Sequence, residues 1–129
     1  MFSSNNGSIG IGVDVATIDR FHGLTVEKDA SFLNKIFTEN ELDYCFSSGN
    51  PAEHLAARFA GKEAIIKALG QLDRFKADYR DIEIVNDKRG IPGACILKEG
   101  FAGLDILLSL SHSRDTAIAF TVVALRDED

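Results

Sequence analysis

Pro51-Ala52-Glu53-His54-Leu55-Ala56-Ala57-Arg58-Phe59-Ala60-Gly61-Lys62-Glu63-Ala64-Ile65-Ile66-Lys67-Ala68-Leu69-Gly70 reads as one long helix. Proline stands at its first turn, where a missing N–H costs nothing, the body is rich in alanine, and Gly70 lies just beyond the expected end at Leu69. At about 100° per residue, Leu55, Phe59, Ile66 and Leu69 form the core stripe, while Glu63 and Lys67 share a flank with Ala56 and Ala60. Small residues on that flank leave room for something bulky. Lys62 falls inside the apolar stripe, so its stem is expected on the core with its head emerging into a cleft.

Before this helix, Ile9-Gly10-Ile11-Gly12-Val13-Asp14-Val15 is a β-branched run carrying glycines, which predicts a strand closely approached by another backbone. Asp14 closes it and is placed to cap a short helix over residues 16–24. Phe32, Leu33, Ile36 and Phe37 have helical spacing, and Thr38-Glu39-Asn40-Glu41 reads as a capping box opening another helix through Phe46. After the long helix, Asp81-Ile82-Glu83-Ile84-Val85 alternates as a strand, Asn86 to Gly90 is a turn, and Ile91 to Leu97 is a second strand with Pro92 near its start. Residues 106–112 and 116–125 form a terminal hairpin. Helices early and strands late predict an α+β fold.

The chain has 129 residues, 45% of them hydrophobic and 26% charged, which predicts one domain over residues 1–129 with about two-thirds of its surface buried. Residues 1–8 are polar and read as a flexible leader without a basic n-region, so no signal peptide is expected. No window approaches the roughly 18 apolar residues of a membrane span, and a cytoplasmic location is expected. A net charge of −6 excludes a protein held on nucleic acid by a basic surface. Cys45 and Cys95 follow no metal-ligand spacing and read as two unpaired, buried thiols.

Three segments place polar residues where chemistry is possible. Asp14 is either a helix cap or, as a carboxylate at a strand end, a metal ligand. Glu63 and Lys67 are either an ordinary i,i+4 ion pair or, with Arg58 and Lys62, the oxygen and cation set that a magnesium-bound polyphosphate needs. In Ser109-Leu110-Ser111-His112, strand alternation turns Ser111 and His112 to opposite faces, which disfavours a Ser-His-Asp triad and leaves His112 a core or interface residue. Gly10-Ile11-Gly12 lacks the third glycine of a dinucleotide fingerprint.

In order, Gly10-Ile11-Gly12-Val13-Asp14-Val15, then residues 58–70, then Ser109-Leu110-Ser111-His112 resemble the motifs of the holo-[acyl-carrier-protein] synthases, the small single-domain 4'-phosphopantetheinyl transferases. Asp81-Ile82-Glu83-Ile84 and Gly90-Ile91-Pro92 extend the resemblance over roughly residues 9 to 125. It implies the family fold, one long helix packed on a mainly antiparallel sheet. It also implies magnesium-dependent transfer of the 4'-phosphopantetheine arm of coenzyme A to a serine of an apo acyl carrier protein, with release of adenosine 3',5'-bisphosphate. Asp14 and Glu63 fall on the family's magnesium ligands and Lys67 on its pyrophosphate-contacting lysine. These three are the implied catalytic residues, with Glu63 or a metal-bound water as the base. Arg58, Lys62, Lys67, Gly90, Pro92 and His112 fall on positions that bind coenzyme A, in a pocket between neighbouring subunits of a homotrimer.

The chain also departs from the family pattern. Thr17 stands where a glutamate usually follows the first aspartate, and Ser47-Ser48-Gly49-Asn50 lacks the basic residues often offered to coenzyme A. Arg20, His22, Lys28 and Lys35 are interrupted by Asp19, Glu27 and Asp29, which weakens electrostatic attraction for an acidic carrier. These departures motivate the alternative of a coenzyme A-binding or assembly module without transferase activity.

Overall fold

The computed structural model describes residues 8–73 and 75–126; of the leader expected over residues 1–8, all but Ser8 lies outside them. Strand β1 (Ile9–Thr17) leads through a 3-10 turn (Ile18–Phe21) to helices α1 (Val26–Ile36), α2 (Glu39–Ser47) and α3 (Pro51–Gly70). A second 3-10 turn (Tyr79–Asp81) then enters β2 (Ile82–Asn86), followed by β3 (Pro92–Ile96), β4 (Leu104–His112) and β5 (Thr116–Leu125). All pairing is antiparallel: a three-stranded sheet in the order β1-β5-β4 and a β2-β3 hairpin. The α+β expectation holds, and so does one long helix on a mainly antiparallel sheet.

Helix α3 lies across the three-stranded sheet. Leu55, Ile65 and Leu69 are fully or almost fully buried, each contributing about 1.5–3 kcal/mol, which outweighs the roughly 1 kcal/mol that Gly61 costs a helix interior. Ile65 replaces Ile66 in the expected stripe, since Ile66 is only half-buried. Gly10 and Gly12 face the helix: a Cβ on them would stand 2.1 Å and 1.9 Å from the carbonyl oxygens of Ala68 and Ala64. The predicted close backbone approach is therefore between β1 and α3. The room left by the alanines of α3 is taken by protein, not by a bulky ligand.

Strand β1 continues past Asp14 because it pairs with β5 at every residue from Ile9 to Thr17. Asp14 is consequently no helix cap, and the helix expected over residues 16–24 is only the 3-10 turn, with Thr17 at its N-cap position. The capping box at Thr38 forms as predicted, with Thr38 and Glu41 each bonding the other's backbone N–H. Of the two cysteines, Cys45 is buried, which raises its thiol to about 12, whereas Cys95 is exposed.

Lys62 departs most from expectation. Its ammonium is 0% exposed. It lies 2.7 Å from Glu41 Oε1 and donates to the carbonyls of Ile36 and Tyr79 at 2.9 Å and of Ile82 at 2.5 Å. Burial lowers its proton affinity, and Glu41 opposes that shift. Glu41 is in turn held by the backbone N–H of Ile84 at 2.7 Å and of Thr38 at 2.9 Å. Lys62 thus ties the end of α1, α2, the 3-10 turn and β2 to α3.

Candidate functional site

Two groups of polar residues open on opposite flanks of α3. Arg58 and Lys67 stand nine positions apart, as do His54 and Glu63, so the members of each pair lie roughly 180° apart on the helix.

On the first flank, the close packing of β1 sets Asp14 beside α3. Lys67 Nζ donates to Asp14 Oδ1 at 2.9 Å and to the Val13 carbonyl at 3.1 Å, and the bond and charge of Asp14 raise the lysine's proton affinity. Glu63, one turn before Lys67, accepts a hydrogen bond at 2.8 Å from the Tyr79 hydroxyl to Oε2. Burial and then that bond push the phenol up to about 12. Glu63 Oε1 has no partner among the described residues.

Among the described residues no group of three or more His, Cys, Asp or Glu is placed to hold a metal ion. Two carboxylates without nitrogen or sulfur suit a hard cation such as magnesium, which takes one or two carboxylates and fills the rest of its shell from phosphate and water. The Lys67 ammonium rests on one of these carboxylates, Asp14.

The second flank holds a pocket of about 270 Å³ lined by His54, Arg58, Asn86, Gly90, Pro92 and His112, among others. Arg58 is 2% exposed. Its Nη2 donates to Asn86 Oδ1 at 2.9 Å, and its guanidinium carbon lies 4.4 Å from the Tyr44 ring centroid. Arg58 Nε is buried without a partner among the described residues, a donor still to be satisfied. The turn between β2 and β3 forms one wall. Gly90 adopts φ +83° there, and the Asp87 carboxylate accepts from the backbone N–H of Arg89 and Ile91. Those backbone bonds, that to Ile91 foremost, hold Asp87 below the usual carboxylate range.

His112 brings Nε2 to 3.7 Å from Glu53 Oε1 at the rim. His54 packs edge-on against Tyr44 at 5.2 Å; burial and then Arg58 lower its proton affinity. This pocket can take an anionic, partly planar ligand: guanidinium and imidazole groups for phosphate, and Pro92 with Tyr44 nearby for a flat ring. Two larger clefts, each about 400 Å³, run beside Phe75, Lys76 and Lys98, but the Lys98 ammonium there is held by the Lys76 carbonyl.

The expected residues therefore divide. Asp14, Glu63 and Lys67 share one flank, and Arg58, Gly90, Pro92 and His112 share the other. Lys62 belongs to neither: contrary to the expectation of a head emerging into a cleft, its ammonium is enclosed and bonded to protein groups. Ser111 and His112 lie on opposite faces of β4, as alternation predicted. Sequence reasoning missed Tyr79, His54 and Asn86. His54 had a signal, lying one turn before Arg58 on the same face; Tyr79, 16 residues beyond Glu63, had none.

Residues 10–121 match the model of a family described as the 4'-phosphopantetheinyl transferase superfamily. The holo-[acyl-carrier-protein] synthase of Protochlamydia amoebophila is 42% identical over 118 residues, which span 89% of this chain and 97% of that protein. A holo-(acyl-carrier-protein) synthase of Bacillus anthracis, solved in complex with CoA (3',5'-ADP), superposes with a TM-score of 0.73 at 32% identity, covering 92% of this chain and 98% of that one. The Helicobacter pylori holo-[acyl-carrier-protein] synthase in complex with coenzyme A gives 0.74 at 29% identity, covering 88% and 99%.

Proposed function

The chain belongs to the 4'-phosphopantetheinyl transferase superfamily, and on that premise we propose that it is an enzyme transferring the 4'-phosphopantetheine arm of coenzyme A to a serine hydroxyl of an apo acyl carrier protein. The observation that carries this reading is the Asp14, Glu63 and Lys67 cluster, two carboxylates with an exposed cation one helical turn on. In the reaction the serine oxygen forms a bond to the phosphorus that bears the pantetheine arm. The bond from that phosphorus to the bridging oxygen breaks, and adenosine 3',5'-bisphosphate leaves with the electron pair. The serine proton passes to Glu63 or to water.

Asp14 and Glu63 would hold magnesium, whose charge would offset that developing on the diphosphate. The Lys67 head is exposed and free to turn from Asp14 to a phosphate oxygen, where its charge stabilises the leaving group. Arg58 and His112 supply the cationic lining for phosphate in the opposite pocket, while Gly90 and Pro92 shape the wall.

A single subunit holds these two groups on opposite flanks of α3, half a turn apart around the helix. We therefore place the complete site between neighbouring subunits of a homotrimer. The outer face of the three-stranded sheet supports this. Ile11, Val13 and Val15 of β1, Ile118 and Phe120 of β5 and Leu107 of β4 are all exposed there, with Val13 opposite Phe120 and Val15 opposite Ile118. Such an apolar face is unusual on an isolated small domain. The substrates would be met in the cytoplasm, and no helix among the described residues is long and apolar enough to cross a membrane.

The test is incubation with coenzyme A, magnesium and a panel of apo carriers, fatty-acid and polyketide types included. A mass gain of one phosphopantetheine arm is expected; no gain on any carrier, with coenzyme A bound in calorimetry, would establish a non-transferring module.

A further inference from the structure

We infer that Tyr79 is a positioning residue for Glu63: its hydroxyl fixes one carboxylate oxygen so that the other is presented to the divalent cation. This rests on the reading of Glu63 as a metal ligand. The hydrogen bond, Tyr79 Oη to Glu63 Oε2, is 2.8 Å long, and Tyr79 is itself anchored on two further sides. Its ring stacks on Phe59, centroids 5.6 Å apart and planes at 29°, and the Arg20 guanidinium lies 4.8 Å over the same Phe59 ring. Its carbonyl oxygen accepts from the buried Lys62 ammonium at 2.9 Å.

A glutamate at the edge of a helix has three side-chain torsions and samples several rotamers unless something holds its end. Here the holder is a half-buried phenol whose backbone is tied by Lys62 to α1, α2 and β2, so its hydroxyl is delivered from a rigid platform. With Oε2 committed to that hydroxyl, Glu63 is set to offer the cation a single oxygen, which leaves positions in the shell for the diphosphate and water that magnesium requires. The arrangement is the carboxylate counterpart of the outer hydrogen bonds that orient metal-bound histidines. It also gives the enclosed Lys62, next to Glu63 in the chain, a role at the site without contact with any ligand.

The experiment titrates Mn2+, followed by its electron paramagnetic resonance signal, into the whole protein with coenzyme A and no carrier, so that no turnover occurs. Tyr79→Phe keeps the ring on Phe59 and removes only the hydroxyl. Mn2+ binding should weaken about tenfold, the lower end of what loss of an orienting partner costs, while coenzyme A affinity measured without metal stays at the wild-type value. In the transfer assay the metal concentration at half-saturation should rise by the same factor, and kcat at saturating metal should recover. Unchanged Mn2+ affinity in Tyr79→Phe would overturn the inference, and so would a parallel loss of coenzyme A affinity, which marks general distortion. Glu63→Gln separates the two levels. If it binds Mn2+ as wild type does, the metal-ligand reading fails; if it loses Mn2+ while Tyr79→Phe keeps it, only the role of Tyr79 fails.

Discussion

Replacing Lys62 with methionine tests the role of the buried ammonium. Methionine matches the lysine stem in length but removes the charge and every donor. Glu41 is left as a buried carboxylate without its cation, and the carbonyls of Ile36, Tyr79 and Ile82 lose a shared donor. Breaking a buried ion pair from one side costs roughly 3–5 kcal/mol. The carbonyls add to that only as far as water cannot reach them. At about 4 °C per kcal/mol for a domain of this size, the melting temperature should fall by roughly 12–20 °C. Because the damage is the uncompensated charge on Glu41, the double variant Lys62→Met/Glu41→Gln should melt above Lys62→Met alone, since an amide keeps an acceptor for the Ile84 N–H without the charge. Calorimetry of the three proteins, with coenzyme A titrations at a temperature where all are folded, decides the matter. A melting point near wild type in Lys62→Met, a double variant no better than the single, or a large loss of coenzyme A affinity in folded Lys62→Met would refute the reasoning.

Gly12→Ala sets a Cβ 1.9 Å from the Ala64 carbonyl oxygen, so β1 must back off by about 1.1 Å to reach even a 3.0 Å contact. Overpacking of this kind costs roughly 1–3 kcal/mol or more; a melting temperature at least several degrees lower is expected, and an unchanged one would contradict the packing described. Phe120→Glu should leave the fold intact but dissociate the proposed trimer, since an unpaired buried carboxylate costs roughly 3 kcal/mol or more, at least about a hundredfold in the dissociation constant. Sedimentation of the variant as a trimer would count against the interface. His54 has its proton affinity lowered in the folded state, by burial first and then by Arg58, with Glu53 opposing and His112 adding to the shift. The unfolded chain therefore holds the proton that the fold refuses, and stability should fall as pH drops below about 6.5, the ordinary histidine value. His54→Phe, which keeps a ring against Tyr44, should flatten that decline in denaturant titrations; the same acid slope in both proteins would contradict it.

The helix Pro51–Gly70, the two C-terminal strands and the Thr38 capping box were legible because each is set by local chemistry: a proline start, period-two alternation, a Ser/Thr-x-x-Glu pattern. The charged flank Glu63–Lys67 was legible for the same reason, spacing on one helix. What escaped depends on residues distant in the chain. Periodicity placed Lys62 on the core side of α3, but not the carbonyls of Ile36, Tyr79 and Ile82 or the carboxylate of Glu41 that converge there. Strand β1 and its close backbone approach were legible, but which face is buried was not. Glycines turn inward because the α3 backbone approaches, and Ile9, Ile11, Val13 and Val15 turn outward. That the strand runs on past Asp14 to Thr17 could not be read without its partner β5. Tyr79 escaped because nothing in its neighbourhood points to Glu63.

The two flanks of α3 have a kinetic consequence for the proposed assembly. When each subunit lends its carboxylates to one seam and its guanidinium to the next, no active centre belongs to a single chain. Turnover per chain then falls on dilution through the assembly constant rather than staying flat. A lesion at Lys67 in one subunit and at Arg58 in another complement each other, because a mixed trimer contains one seam with both halves intact; in an equal random mixture that is about one seam in four.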